Sequence, residues 1–176
     1  MSEKYKTTED GLYFVSFSVV GFMDVFTRRI YQEILVESLI FCQIKKDLKL
    51  YCYCIMTNHV HLIAASENGS LSNILRDFKS FTATQTMDAI SKNIQESRKD
   101  WMQAQFKFYG SNSPQEQINQ FWKHDNHPFY LYSKEMIDQK VNYIHNNPVE
   151  AGFVNEAYEW RLSSANVYSP IKVLKF

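Results

Sequence analysis

The sequence lacks the features that mark several classes of protein. Its formal net charge is zero, whereas a protein that coats nucleic acid nonspecifically usually carries a basic stripe. It has only three cysteines and no CxxC pair, so we predict neither a disulfide framework nor a structural zinc site and expect a reducing, cytoplasmic location. No apolar run approaches the roughly 18 to 20 residues of a membrane span. Residues 1–10 are polar and charged, which argues against a signal peptide.

The composition is that of an ordinary globular protein. Hydrophobic residues make up 45% and charged residues 22% of the 176 residues, which is typical of such proteins. There is no internal repeat and no low-complexity tract, and the chain is long enough to bury a sizeable core. We therefore predict a single domain over residues 1–176, with residues 149–176 as a C-terminal tail packed on it.

Hydrophobic periodicity predicts an α+β fold. Alternating or β-branched runs predict strands, and apolar residues spaced three and four apart predict helices. The order strand-helix-strand-strand-helix-strand is that of a ferredoxin-like (RRM-like) fold, which has an antiparallel sheet with helices on one face. The other face is left free to carry a site. The predicted elements are strand 12–20, helix 28–47, strands 50–56 and 60–65, helix 71–92, an extended piece at 128–132 and a helix from 134 to about 146.

Capping and breaking residues set the predicted ends of the helices. Thr27, Ser70 and Ser133 are the predicted N-caps. The apolar stripe of the helix that follows Ser70 includes Phe81. Pro148 has no N–H group and restricts the residue before it, so we expect it to end the last helix.

Three segments are less regular. Residues 93–120 are polar and aperiodic, which predicts a mobile insertion that holds a helix near 99–108. A turn is predicted at residues 124–127. The side chains expected to hold the tail on the body are aromatic: Tyr158, Trp160 and Tyr168.

The triplet His59-Val60-His61 opens the third predicted strand. Side chains two apart point to the same face of a strand, so the two imidazoles lie close together while Val60 points into a core. Such a pair can bind one divalent cation from one side. A single histidine on a strand is more often structural, and the spacing alone leaves both interpretations of the pair open.

Tyr143 and Asn147 share one face of the last predicted helix, because residues four apart are neighbours there. If this helix lies across the free face of the sheet, Asn147 adds an oxygen ligand to the two imidazole nitrogens. Such a set with open positions suits Mg²⁺ or Mn²⁺ bound beside a phosphate. A cation would favour the phenolate of Tyr143 and so its attack on that phosphate. Taken alone, Tyr143 is more often a core residue and Asn147 an ordinary helix stop.

Two segments resemble motifs of the single-tyrosine HUH transposases, in which HUH stands for histidine, hydrophobic residue, histidine. Residues 53–63 resemble the metal-binding strand of that family, and residues 143–152 resemble its tyrosine helix and the exit from it. Residues 121–122 and 125–128 resemble its connecting piece. The resemblance extends from about residue 12 to residue 168. It favours the REP-associated tyrosine transposase branch, which has asparagine where the insertion-sequence branch usually has glutamine.

The resemblance implies an HUH endonuclease fold and a transposase that cuts and rejoins single-stranded DNA near a hairpin. It implies His59, His61 and Asn147 as ligands of Mg²⁺ or Mn²⁺. It also implies that Tyr143 is the catalytic nucleophile and becomes linked to a DNA 5′-phosphate. The expected partner is single-stranded DNA with a hairpin, and no membrane partner is expected. The REP-associated branch and the long tail after Pro148 favour a monomer slightly over a homodimer.

Three other functions stay open at this point. A catalytically inactive, domesticated DNA- or RNA-binding module of the same fold would hold bases by stacking alone. A replication-initiator or relaxase-type nicking enzyme shares the metal pair but is generally larger. A metal-dependent hydrolase would use a bound water as nucleophile, with Tyr143 only structural.

Overall fold

The computed structural model describes residues 11–67, 70–115, 117–124 and 128–176. Within these residues, no helix is both long enough and apolar enough to cross a membrane. The strands are β1 Tyr13–Ser18, β2 Lys49–Ile55, β3 His59–Ala65 and β4 Phe129–Tyr130. The α-helices are α1 Arg29–Lys45, α2 Leu71–Lys92, α3 Lys99–Ser111 and α4 Lys134–Glu150.

The strands form one antiparallel sheet in the order β2-β3-β1-β4. Helices α1 and α2 pack together on one face of this sheet, while α4 lies on the other face against β2 and β3. This arrangement confirms the predicted ferredoxin-like fold. It also places the last helix across the face that the sequence left free.

Side-chain alternation in β3 divides its residues between the two faces. Val60 and Leu62 are fully buried in the larger core, which the sheet forms with α1 and α2. His59 and His61 project to the opposite face, followed there by Ile63, which packs in a smaller core under α4. A shift of one residue would exchange the two sets, so burial of the aliphatic side chains fixes the direction of the histidines.

An apolar stripe on α4 holds this helix on the sheet. Ile137, Val141 and Ile144 recur at helical spacing and belong to the smaller core, where Ile144 is fully buried. They pack against Cys52 and Ile63 of β2 and β3. Because this stripe faces the sheet, the residues beside it on the helix are directed along the sheet surface.

The predicted end of α4 at Pro148 is wrong. The helix begins as predicted, with Ser133 Oγ accepting a hydrogen bond from the N–H of Met136. It then continues through Pro148, whose ring is buried, to Glu150. The stop is Gly152, which adopts a left-handed φ of 75°, and the N–H of Phe153 bonds to the carbonyl of Pro148 as in a Schellman motif. Pro148 lacks the N–H group that would donate a hydrogen bond within the helix, but burial of its ring and the cap at Gly152 outweigh the loss of that bond.

Three other helix predictions have mixed outcomes. Ser70 caps α2 as expected, accepting a hydrogen bond from the N–H of Asn73. Thr27 does not cap α1, since Arg28 occupies the N-cap position without a side-chain cap. Phe81 is 56% exposed rather than part of the core face of α2, because it lines an open groove between α1 and α2 with Phe41.

The described part of residues 93–120 is packed on the body, and the helix predicted near 99–108 is α3; the mobility expected of this segment stays a prediction. Met102 and Phe106 of α3 are buried in the larger core. Glu96 is also buried, and it accepts hydrogen bonds from Arg28 Nε at 2.7 Å and from Arg98 Nε at 3.2 Å. The polar composition of this segment concealed a buried ion cluster, which periodicity does not detect.

The tail covers the outer edge of β2. The N–H of Ile55 bonds to the carbonyl of Leu162, and Ser163 forms a bridge with Cys54. Trp160 holds the tail as predicted, donating from Nε1 to the carbonyl of Ile55. Tyr158 and Tyr168 are exposed and do not have the predicted role. Of the turn predicted at 124–127, residues 125–127 lie outside the described residues.

Replacing Glu96 by Gln should destabilise the protein in a pH-dependent way. Burial alone would raise the pKa of Glu96, but hydrogen bonds from Arg98 and Arg28 hold that pKa at about 2. The carboxylate therefore stabilises the fold above its unfolded pKa near 4.5, and this contribution is lost as the pH falls to about 2. We expect Glu96→Gln to lower the free energy of unfolding at pH 7 by about 3 kcal/mol.

Urea unfolding at several pH values measures this effect. The difference between wild type and Glu96→Gln should shrink as the pH falls from 4.5 toward 2. Glu33→Gln is the matched control, because Glu33 pairs with Arg29 on the exposed surface of α1 and should contribute less than about 0.5 kcal/mol. A Glu96→Gln deficit that does not change with pH would contradict this account.

Candidate active site

His59 and His61 lie together on the face of β3 that α4 covers. Their ring centres are 4.7 Å apart and the rings are nearly perpendicular. His59 is the first residue of β3, directly after the turn that joins it to β2. The start of the strand therefore presents both imidazoles to the underside of α4, as the alternation in the sequence predicts.

Helix α4 brings the other two predicted residues to these histidines. Asn147 Oδ1 lies 3.0 Å from Nε2 of His59. The Tyr143 ring lies edge-on to the ring of His61 with centres 5.2 Å apart. Tyr143 is 41% exposed, so the alternative that it serves only as a core residue does not hold. All four residues named from the sequence share one cleft between β3 and α4.

Asn58 and Asp24 orient His59, although neither was predicted to be a site residue. Asn58 donates from Nδ2 to the carbonyl of Phe22 and to Asp24 Oδ1, each at 3.0 Å. Its Oδ1 therefore faces Nδ1 of His59, at 2.6 Å. Arg98 donates to the backbone carbonyl of Asp24 at 2.9 Å, which ties this chain of bonds to the Glu96 cluster. Polar residues in turns are common, so only the folded geometry identifies the pair.

This arrangement leaves a lone pair on Nε2 of His59. Burial lowers the pKa of His59, although the Asn147 oxygen and the charge of Asp24, which would both stabilise the protonated ring, oppose this effect. The ring is therefore neutral near pH 7 and carries one proton. The bond to the Asn58 oxygen places that proton on Nδ1. Nε2 and the Asn147 oxygen then face each other as two acceptors 3.0 Å apart. Such a pair is stabilised by an electron-poor centre that both atoms can bind.

His61 is a buried neutral imidazole. It is 4% exposed and stacks on Phe14 with ring centres 5.6 Å apart. Burial lowers its pKa to about 3, and the neighbouring His59 ring and the charge of Lys140 add to this effect. Neither ring nitrogen has a hydrogen-bond partner among the described residues. A buried polar atom without a partner is costly unless a ligand supplies one.

These donors fit a divalent cation. Two ligand atoms at right angles, each about 2.1 Å from one ion, lie about 3 Å apart, which matches the separation of the His59 nitrogen and the Asn147 oxygen. His61 supplies a further nitrogen without a partner. Among the residues that the structure describes, no three His, Cys, Asp or Glu side chains cluster in this way. A site here would therefore draw its third donor from the amide of Asn147 and keep positions open for a substrate.

Comparison with known proteins gives three findings. Residues 23–124 match the model of the family described as IS200-like transposases. A structure of the REP-associated tyrosine transposase bound to a REP hairpin has a TM-score of 0.61 and 17% identity, over 93% of this chain and 82% of that chain. A protein of Deinococcus radiodurans R1, assigned as a transposase, has a TM-score of 0.46 and 15% identity over 83% of this chain and 97% of that one. No curated protein matches the sequence.

Replacing Asn58 by Ala should shift the ring proton of His59 from Nδ1 to Nε2. Without the Asn58 oxygen, Nδ1 loses its acceptor, and the proton can move to Nε2 and bond to Asn147. Long-range ¹H–¹⁵N spectra distinguish the two tautomers directly. We expect the Nδ1–H form of His59 in the wild type and mainly the Nε2–H form in Asn58→Ala. His145 is the internal control, because it bonds to Ser164 instead. An Nε2–H tautomer in the wild type would contradict the assignment.

Proposed function

Because the chain belongs to the IS200-like transposase family, a family of DNA-processing enzymes, we propose that it cuts and rejoins single-stranded DNA through a covalent bond to Tyr143. The observation that carries this proposal is the shared cleft of Tyr143, His61, His59 and Asn147. Tyr143 is open to solvent on one side and in contact with a histidine on the other. A nucleophile needs both access to its substrate and a polar group that stabilises the developing charge.

The proposed reaction is a transesterification at phosphorus. The Tyr143 oxygen attacks a phosphodiester, forms a bond to phosphorus and releases its proton. The bond from phosphorus to the 3′-oxygen breaks, and that oxygen takes up a proton as the strand leaves. The DNA 5′-phosphate remains on Tyr143. Attack by a 3′-hydroxyl on this link reverses the step and rejoins DNA without ATP.

His59, His61 and Asn147 would hold a divalent cation, Mg²⁺ or Mn²⁺, in this site. The bound ion would polarise a phosphoryl oxygen and favour the phenolate form of the nucleophile. The residues themselves keep the site ready for it. Burial holds both imidazoles neutral, and Asn58 points the free lone pair of His59 toward Asn147. A hydrogen-bonded outer residue of this kind commonly tunes a metal ligand.

We propose single-stranded DNA that carries a hairpin as the substrate. The solved protein of the same fold, with a TM-score of 0.61, is bound to a REP hairpin. A hairpin next to the cut would place the unpaired strand in the cleft, where Tyr143 is accessible. The cytoplasmic location expected from the cysteines stays a prediction.

Two features support a monomer as the working form. Asn147 of α4 meets His59 of the same chain, so the proposed site is complete without exchange of a helix between subunits. The tail covers the outer edge of β2, where Leu174 donates to the carbonyl of Leu50 and Leu162 accepts from Ile55. That edge is therefore not available to pair with a second sheet.

The catalytically inactive binding module is the alternative, and the site argues against it. A protein that held bases by stacking alone would need no histidine with two unpartnered nitrogens in its interior. His61 has this feature at 4% exposure, and a polar atom of this kind reduces stability unless a ligand compensates. The presence of Tyr143 and Asn147 in contact distance of the histidines favours an enzyme.

Tyr143→Phe should abolish the covalent adduct but keep DNA binding. The phenyl ring preserves the contact with His61, while loss of the oxygen removes the nucleophile. Hairpin oligonucleotides with single-stranded flanks are incubated with Mn²⁺, and the intact mass of the protein is measured. We expect an added oligonucleotide mass on the wild type only, with dissociation constants of the two proteins within about threefold.

Tyr132→Phe is the matched control for this experiment, since Tyr132 is 74% exposed and lies before α4. It should form the adduct normally. An adduct on Tyr143→Phe, or one that peptide mapping assigns to another tyrosine, would rule out the proposed nucleophile.

His59→Ala and His61→Ala should each weaken Mn²⁺ binding, by about tenfold or more, because each removes one ligand. Isothermal calorimetry of the protein without DNA measures this affinity independently of cleavage. A chelator should also stop adduct formation by the wild type. His145→Ala is the control, because His145 is held by Ser164 and Cys52 away from the cleft. Mn²⁺ binding that survives both substitutions unchanged would contradict the proposed ligands.

A further inference from the structure

Lys140 lies beside Tyr143, and its charge has no counter-ion in the described part of the chain. Its Nζ atom is 4.6 Å from the ring centre of Phe14 and 5.5 Å from the ring centres of Phe129 and Tyr143. No hydrogen bond or ion pair joins this ammonium group to another described residue. The side chain is half-buried, so the group sits among aromatic rings and not in bulk water.

Aromatic rings restrain a cation but leave its charge in place. Each cation–π contact is a weak attraction to a ring face, and that face carries no net charge. Arg28 and Arg98 illustrate the usual alternative, since the buried carboxylate of Glu96 compensates both of them. Lys140 has no such partner among the residues that the structure describes, so its positive charge remains available to an anion that enters the cleft.

The position of Lys140 on α4 directs that charge to the reacting group. Lys140 is three residues before Tyr143 and seven before Asn147, which places all three on one side of the helix. Along this side the order is ammonium, phenol and amide. An anion in contact with the Tyr143 oxygen would thus have Lys140 on one side and the histidine–amide cluster on the other.

Resting on the proposed function, we infer that Lys140 is a further catalytic residue, whose ammonium group binds a non-bridging oxygen of the phosphodiester that Tyr143 attacks. The contact is charge-assisted, and it strengthens as negative charge gathers on that oxygen while the bond to Tyr143 forms. The rings of Phe14 and Phe129 hold the flexible lysine stem in the cleft, which limits the entropy lost when the phosphate binds. The ligand class is a single-stranded phosphodiester.

A double-mutant cycle measures the binding free energy that couples Lys140 to one phosphate of the DNA. The linkage that the wild type cuts is first mapped from its adduct. Equilibrium binding is then measured in the Tyr143→Phe background, which leaves the oligonucleotide intact, and with a chelator in place of the divalent cation, so that any contact between the ion and this phosphate does not add to the effect of Lys140. One oligonucleotide has a normal phosphodiester at the mapped linkage, and the other has an uncharged methylphosphonate there. The variants are Lys140→Met, which keeps the stem, Lys140→Arg, which keeps the charge, and Lys134→Met, which removes an exposed lysine from the first turn of α4.

We expect the methylphosphonate to weaken binding by about tenfold in the Tyr143→Phe parent, which is the loss typical of one charge-assisted hydrogen bond. In Lys140→Met the two oligonucleotides should bind equally, and the slope of log affinity against log salt should fall by about 0.7, the value for one phosphate contact on a single strand. Lys140→Arg should restore the difference. Lys134→Met should behave like the parent.

These experiments distinguish a failure of the Lys140 inference from a failure of the proposed function. A full methylphosphonate penalty in Lys140→Met, with the wild-type adduct intact, overturns the role of Lys140 alone. Absence of any wild-type adduct on Tyr143 overturns the proposed function, and this inference with it. If Lys140→Met is poorly folded by circular dichroism, Lys140→Gln replaces it, because it also removes the charge: loss of the penalty supports the inference, and a full penalty overturns it.

Discussion

The packing of α4 on the second face of the sheet is the constraint on which the site depends. Ile137, Val141 and Ile144 bury one side of this helix against β2 and β3. That burial fixes the rotation of the helix, and the rotation decides where Tyr143 and Asn147 point. A turn of the helix by one residue, about 100°, would direct the phenol away from His61 and break the approach of the amide to His59. The apolar contacts of α4 therefore determine the positions of the phenol and the amide, which lie outside the apolar core.

The polar groups at the centre of the cleft between β3 and α4 are mainly hydrogen-bond acceptors, and the two histidines there carry no positive charge. Burial keeps His59 and His61 neutral, and the bond from His59 to Asn58 commits its single proton to the far side of the ring. What remains between β3 and α4 is a set of lone pairs directed at one another. An interior of this kind is unfavourable by itself. Under the proposed function, a bound cation would offset that cost.

Local patterns predicted the elements well and the contacts between them less well. Alternation in β3 placed His59 and His61 on one face, and Ser70 and Ser133 marked the starts of two helices, because these signals are local. The end of α4 was missed, since burial of Pro148 and the left-handed Gly152 outweigh the local rule against proline. Such packing cannot be read from neighbouring residues alone.

The residues that support the site were not predictable from the sequence for a related reason. Asp24 and Asn58 are 34 residues apart, and each looks like an ordinary turn residue. Glu96 stood in a segment whose polarity suggested exposure, yet its carboxylate is buried with two arginines. Lys140 resembled any surface lysine of an amphipathic helix. The contacts of these four residues are with groups distant in the sequence, which one sequence without its fold does not reveal.

Diffraction from crystals grown with Mn²⁺ tests the central claim most directly, because the anomalous signal of the ion locates it without assumptions about activity. The account predicts one strong peak between β3 and α4, roughly 2.0–2.3 Å from Nε2 of His59, a ring nitrogen of His61 and Oδ1 of Asn147, with the Tyr143 hydroxyl facing the same space. A peak bound elsewhere on the protein, or a cleft without an ion at saturating Mn²⁺, would contradict it.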